Sequence, residues 1–145
     1  MVFAGRRFFL KRDDLLSPIF CSPAFSGNKA RKFHYLLQEK YFKIKKIVSH
    51  GSSQSNSLYS LSELAKSKSW EFEFYVDHIS VFLKNNPAGN YQGALANGAK
   101  IISLESEEHN REERAGWMQA YLQDEIMPHE ENALFISEGG RGIDA

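Results

Sequence analysis

The chain has 145 residues, of which 42% are hydrophobic, 25% charged and 13% aromatic, and its formal net charge is zero at pH 7. Such a chain builds a core and is not disordered, and its zero net charge gives no global attraction to nucleic acid or acidic lipid. Residues 1–10 hold no apolar run long enough for a signal peptide, no stretch approaches a membrane span, and the single cysteine, Cys21, permits no internal disulfide, which fits a reducing cytoplasm.

In chain order the pattern alternates strand and helix. Residues 7–12 read as a strand, with Phe8, Phe9 and Leu10 suggesting burial on both faces. An irregular stretch with two prolines, residues 17–27, follows. Residues 28–41 read as a helix whose apolar face carries Phe33, Leu36, Leu37 and Tyr41. Residues 44–49 read as a strand, 51–55 as a Gly/Ser turn, and 56–68 as a helix with Leu58, Leu61 and Ala65 on one side. Residues 71–77 alternate strictly, Phe72, Phe74 and Val76 against Glu71, Glu73, Tyr75 and Asp77, which predicts a half-buried strand. Asn90 is a plausible N-cap for a short helix over residues 90–97, closed by Gly98. Residues 100–104 read as a strand and 111–126 as a helix with Pro128 just past its end. A last strand, 133–137, runs into Glu138-Gly139-Gly140. Strands separated by helices predict an α/β fold, an open parallel sheet with flanking helices.

The charge is unevenly distributed. Residues 1–50 carry 11 Lys+Arg against 3 Asp+Glu, and the remainder carries 7 against 15. The first third therefore suits an anionic ligand better than the rest, although most of these side chains are expected to be ordinary solvated surface. The five histidines (His34, His50, His78, His109, His129) are scattered, with no spacing that suggests zinc.

Ligands of open α/β sheets sit where strands lead into helix N-termini. Two segments have that form. The first, Gly27-Asn28-Lys29-Ala30-Arg31-Lys32, puts a lysine in the opening turn of a helix, where neighbouring positive charge or burial lowers its pKa and frees the amine to attack an aldehyde. Read alone, Lys29 is equally an exposed lysine at a helix start. The second, Ser49-His50-Gly51-Ser52-Ser53-Gln54-Ser55-Asn56, is a run rich in hydroxyl and amide groups able to donate to a carboxylate or a phenolic oxygen. Read alone, it is a capping turn with Ser55 as N-cap. Cys21 has no identifiable histidine partner and reads as incidental.

Lys11-Arg12-Asp13-Asp14-Leu15, Gly27-Asn28-Lys29-Ala30-Arg31-Lys32, Gly51-Ser52-Ser53-Gln54-Ser55-Asn56 and Phe135-Ile136-Ser137-Glu138-Gly139-Gly140 occur in one order. Together they resemble the N-terminal half of the 1-aminocyclopropane-1-carboxylate deaminase / D-cysteine desulfhydrase family, fold type II pyridoxal-phosphate enzymes related to the tryptophan synthase β chain. The resemblance implies pyridoxal 5'-phosphate as cofactor. Lys29 then matches the lysine that bonds covalently to it, Asn56 the group at its phenolic oxygen, and Lys32 and Asn28 further cofactor contacts. Ser55 matches a serine near the substrate carboxylate, a nucleophile or positioning group, with Gln54 and Ser53 beside it. The implied activity is deamination or lysis of a small amino acid, giving an α-keto acid and ammonia, with sulfide from D-cysteine.

The resemblance also divides the chain: residues 47–130 as most of a small α/β domain, and 1–46 and 131–145 as strips of a larger cofactor domain. Family members are considerably longer. Their Gly/Thr-rich phosphate loop, the partner of the pyridine nitrogen and the downstream aromatics have no counterpart here, so this chain alone is expected to be nearly inactive. A homodimer or a complementing C-terminal half is the expected partner. Two other readings remain open at this point: a non-enzymatic remnant that keeps the small-domain fold, and a phosphate- or nucleic-acid-binding module built on the basic first third.

Overall fold

The computed structural model describes residues 2–3, 5–7, 9, 12, 25, 27–37, 41–104 and 111–140. The Asp13-Asp14-Leu15 motif, Lys11, Cys21, His109 and nearly all of the irregular stretch before Gly27 lie outside the described residues. Among them are a short antiparallel hairpin, β1 (Val2–Phe3) with β2 (Arg6–Arg7), and a four-stranded sheet of β3 (Lys46–His50), β4 (Glu71–Val76), β5 (Lys100–Ser103) and β6 (Ala133–Ile136). The sheet order is β5-β4-β3-β6, and every pairing in it is parallel. The helices are α1 (Gly27–Phe33), α2 (Asn56–Lys68), α3 (Val81–Asn85), α4 (Gly89–Ala96) and α5 (Arg111–Tyr121).

A parallel sheet must be covered on both faces. On one face Ile47, Phe72, Phe74 and Val76 pack with Leu58, Leu61, Leu64 and Ala65 of α2, Tyr91 and Ala94 of α4, and Phe33 and Leu36. On the other, Val48 and Tyr75 pack with Met118 and Leu122, and with the partly buried Trp117, Tyr121 and Phe135. Each fully buried Leu, Ile or Phe contributes about 1.5–3 kcal/mol of transfer free energy, so these two clusters supply most of the drive to fold.

The second face corrects the reading of β4. The alternation predicts a half-buried strand, yet all of Phe72–Val76 is buried. Tyr75 lies under the Met118–Leu122 segment, and Glu73 is accommodated because Lys46 and Lys100 reach its carboxylate at 3.2 and 2.8 Å. The expected strand over residues 7–12 is also corrected at Phe9, which belongs to no element and is 96% exposed; Phe8, Leu10 and Lys11 lie outside the described residues.

Three helices differ from expectation in detail. The helix opening at Gly27 passes into a 3₁₀ turn over His34–Leu37, which still buries Leu36. The helix beginning at Arg111 widens into a π turn over Leu122–Ile126 and ends in a 3₁₀ turn, Met127–His129. Pro128 sits at the start of that last turn, where its missing N–H costs nothing. Helix α3 was not expected; Ser80 caps it by accepting from the Leu83 N–H at 3.2 Å. No helix among the described residues is long and apolar enough to cross a membrane.

Candidate functional site

The strand order reverses at β3: the chain moves outward through β4 and β5, then returns to pair β6 on the opposite side of β3. Loops leaving the carboxyl ends of two such strands diverge and open a crevice. Here those loops are the 51–55 turn after β3 and the 137–140 turn after β6. The two ends are tied by the Ser49 hydroxyl, which donates to the Ile136 carbonyl at 2.6 Å.

In the 51–55 turn, the Ser55 N–H donates to the Ser52 carbonyl at 3.0 Å, and the Ser55 hydroxyl accepts from the Leu58 N–H at 3.1 Å. Ser55 is thus the N-cap of α2. An N-cap contributes about 1 kcal/mol, and accepting this bond leaves the hydroxyl proton available to donate elsewhere. Ser53 is half-buried and Asn56 exposed.

The structure turns the Gln54 side chain onto α4. Its Oε1 accepts from the Asn90 and Tyr91 N–H groups at 3.0 and 3.4 Å, and its Nε2 donates to the Ala88 carbonyl at 3.0 Å. This corrects the expected cap. Asn90 lies inside α4, the N-cap position is Ala88 with no side-chain cap bond, and Gln54 from a distant turn supplies the missing acceptor. Gly89 makes this approach feasible: its φ is +60°, and a Cβ there would lie 2.8 Å from Gln54 Oε1.

Lys29, Lys32 and Phe33 share one face of α1, at spacings of three and four residues. That face meets the Glu138-Gly139-Gly140 turn. Lys29 Nζ is half-buried and donates to the Gly139 carbonyl at a long 3.4 Å. Its pKa is lowered, first by burial and then by the Lys32 ammonium. Lys32 and Asn28 are exposed. The same turn also approaches the 51–55 loop: a Cβ added to Gly51 would lie 3.6 Å from Glu138 Cγ and 3.7 Å from Ser55 Oγ. Lys29 and the Ser55 loop therefore both border one turn.

Gly140 sets how closely α1 docks. Its φ is +73°, and a Cβ there would lie 2.6 Å from Cε1 of the buried Phe33. Gly140→Ala is expected to cost about 2 kcal/mol, combining left-handed strain with overpacking. Chemical denaturation of the variant measures it, and a change below about 0.5 kcal/mol would refute the docking argument.

Sequence reasoning placed Ser49 and His50 in the second candidate segment without a role of their own, and gave Asn90 only that of a cap. His50 closes β3, is 2% exposed, stacks on Phe135 at 6.0 Å, and its Nε2 has no hydrogen-bond partner among the described residues. Burial pushes its pKa below the ordinary 6.5, and the Glu138 carboxylate opposes that shift. A base with a depressed folded pKa keeps the protein's full stability above 6.5 and loses it as pH falls through the folded value. Stability is therefore expected to decline from pH 6.5 downward, and less steeply in His50→Gln; parallel pH profiles would contradict this. Position at the strand-to-helix turn marked Ser49 and His50 as part of the segment, but nothing local showed that Ser49 would bond to β6 or that His50 would stack on Phe135.

No protein-family model and no curated protein matches the chain. Among solved structures, the crystal structure of an ACC deaminase homologue superposes with a TM-score of 0.62 and 21% sequence identity, covering 90% of this chain and 36% of that one. The two share a fold. A hydrogen sulfide-producing enzyme from Fusobacterium nucleatum matches with a TM-score of 0.49 and 16% identity, over 81% of this chain and 33% of that one. This chain thus spans about a third of the length of either structure. The architecture shared with the ACC deaminase homologue, a parallel four-stranded sheet with flanking helices, is the α/β fold that the sequence predicted.

Proposed function

We propose that this chain supplies the cofactor-bonding lysine and the substrate-facing turn of a pyridoxal 5'-phosphate-dependent deaminase or lyase acting on a small amino acid. One observation carries the reading: the half-buried amine of Lys29 and the Ser55 loop border the same turn at the point where the strand order reverses. The donor set fits the reactive end of that cofactor. It offers an amine of lowered pKa for an aldehyde, and exposed or half-buried hydroxyl and amide donors for oxygen anions.

When bound, the cofactor supplies an electron sink for the pair released at the substrate's α-carbon. The chain's residues do the rest. Lys29 would hold the cofactor through its aldehyde, and burial and Lys32 raise the fraction of its amine that is neutral at a given pH. The Lys29 amine would also move protons at the substrate's α-carbon. Ser55 donates its free hydroxyl proton to the substrate carboxylate or acts as a nucleophile there, beside Ser53 and the Gln54 backbone. The Asn56 amide would donate to the phenolic oxygen, Lys32 would offset the phosphate charge, and Asn28 would be a further cofactor contact. With 1-aminocyclopropane-1-carboxylate the reaction consumes one water and yields an α-keto acid and ammonia; with D-cysteine it also releases sulfide.

The test is trapping. The chain is incubated with pyridoxal 5'-phosphate, reduced with borohydride and mapped by peptide mass. The expected result is one dominant adduct on the peptide containing Lys29. Label spread over lysines according to their exposure would defeat the proposal.

A further inference from the structure

We infer that Asn90 is a positioning residue: it fixes which end of the Asn56 amide faces outward. The argument starts from groups whose hydrogen-bonding sense cannot change. The Gln54 backbone carbonyl can only accept, and Asn90 Nδ2 donates to it at 2.9 Å. That bond settles the nitrogen end of the Asn90 amide. The same nitrogen donates its second proton to Asn56 Oδ1, also at 2.9 Å. Asn56 must therefore point its oxygen at Asn90, and its own Nδ2 is left turned away from α4.

The arrangement is braced from the other side. Gln54 Oε1 accepts from the backbone N–H groups of Asn90 and Tyr91, and Gln54 Nε2 donates to the Ala88 carbonyl. Backbone partners thus determine two of the three amides, and the third follows from them. Reversing any one would set donor against donor or acceptor against acceptor, losing hydrogen bonds each worth about 0.5–1.5 kcal/mol or less at this exposed position. The relay converts the register of α4 against the 51–55 turn into a donor at Asn56.

The consequence rests on the proposed function, in which Asn56 meets an anionic oxygen. An amide held with its nitrogen outward attracts that oxygen; the same amide reversed would present lone pairs and repel it. The orientation itself depends only on the hydrogen bonds.

Two measurements test the inference and separate it from the proposal beneath it. The first needs no cofactor. Asn90→Asp puts an acceptor where the donor was, so the Asn56 amide should rotate to donate to it. The Asn56 side-chain N–H protons should then move downfield in a ¹⁵N–¹H spectrum of the chain, whereas in Asn90→Ala they should average towards solvent-exposed values. Asn56 amide resonances unchanged in both variants would overturn the inference. The second measures the dissociation constant of pyridoxal 5'-phosphate in Asn90→Ala, Asn56→Ala and the double variant. Each single change is expected to weaken binding about threefold to tenfold, one neutral hydrogen bond's worth, and the double variant no further than Asn56→Ala. Multiplying effects would show that Asn90 does not act through Asn56, and would overturn the inference. If no variant takes up the cofactor, the proposed function fails, while the amide resonances still decide the orientation.

Discussion

Lys29→Ala is expected to abolish the dominant borohydride-reducible pyridoxal 5'-phosphate adduct and leave the fold intact. The side chain ends in a long hydrogen bond to the Gly139 carbonyl and lies on a short helix, where alanine is the best-tolerated residue. The change in stability should stay within about 0.5 kcal/mol, as for substitutions outside packed or networked positions. The dominant adduct should disappear, leaving only the background label shared by exposed lysines, Lys32 among them. Lys29→Arg sharpens the test, since it keeps the charge but cannot condense with an aldehyde. Lys32→Ala probes the electrostatics. Removing that ammonium should move the Lys29 pKa back up, towards its ordinary 10.5, and slow adduct formation at neutral pH. Each unit of such a shift changes the neutral fraction about tenfold. Equal labelling of wild type and Lys29→Ala would dismiss the functional reading.

Glu73→Ala is expected to destabilise the fold by about 3–4 kcal/mol, with a fall in Tm of roughly 10 °C for a chain of this size. Glu73 is 8% exposed and holds three partners: Lys46, Lys100 and the Tyr75 hydroxyl, the last at 3.1 Å. Burial alone would push its pKa up, but hydrogen bonds from Lys100, Lys46 and Tyr75 win and hold it below the ordinary 4.5. Lys46 balances the other way. Burial lowers its pKa, and bonds to Glu130 and Glu73 raise it above 10.5. The signs define a window. Glu73 stabilises fully above about 4.5 and fails as pH drops through its folded value; Lys46 stabilises fully below about 10.5 and fails as pH climbs through its own. Lys100 is largely exposed and contributes little. Most of the cost is therefore the Lys46 charge, left under the sheet with Glu130 alone. Urea denaturation of Glu73→Ala and Glu73→Gln measures it; a loss below about 1 kcal/mol for the alanine variant would refute the network's role.

These two residues mark what the sequence could and could not convey. Helix α2 was legible at both ends because Ser55 caps it and Leu58, Leu61 and Ala65 recur at helical spacing, all local signals. The parallel sheet followed from strands spaced by helices. Glu73 and Tyr75 were misread as solvent-facing because polarity marks exposure only where no distant segment arrives. Here α5 and Lys46 do arrive, from elsewhere in the chain. The Asn90 cap failed for the same reason: its acceptor comes from Gln54, 36 positions earlier. Within the candidate site, Lys29, Ser55 and Asn56 were visible as motifs. The resemblance implied that they share one site; spacing along the chain could not show that Lys29 and Ser55 both border the 138–140 turn, since that depends on β6 pairing with β3.

That pairing imposes an order on assembly. β3, β4 and β5 follow one another along the chain, so the 51–56 turn and its brace on α4 can consolidate while later residues are still being synthesised. The seat of Lys29 cannot. It waits for the turn after β6, which carries Gly139 and Gly140 and lies 110 positions downstream. Closing so long a loop is slow, and the Lys29 amine is therefore among the last parts of the molecule to reach its place.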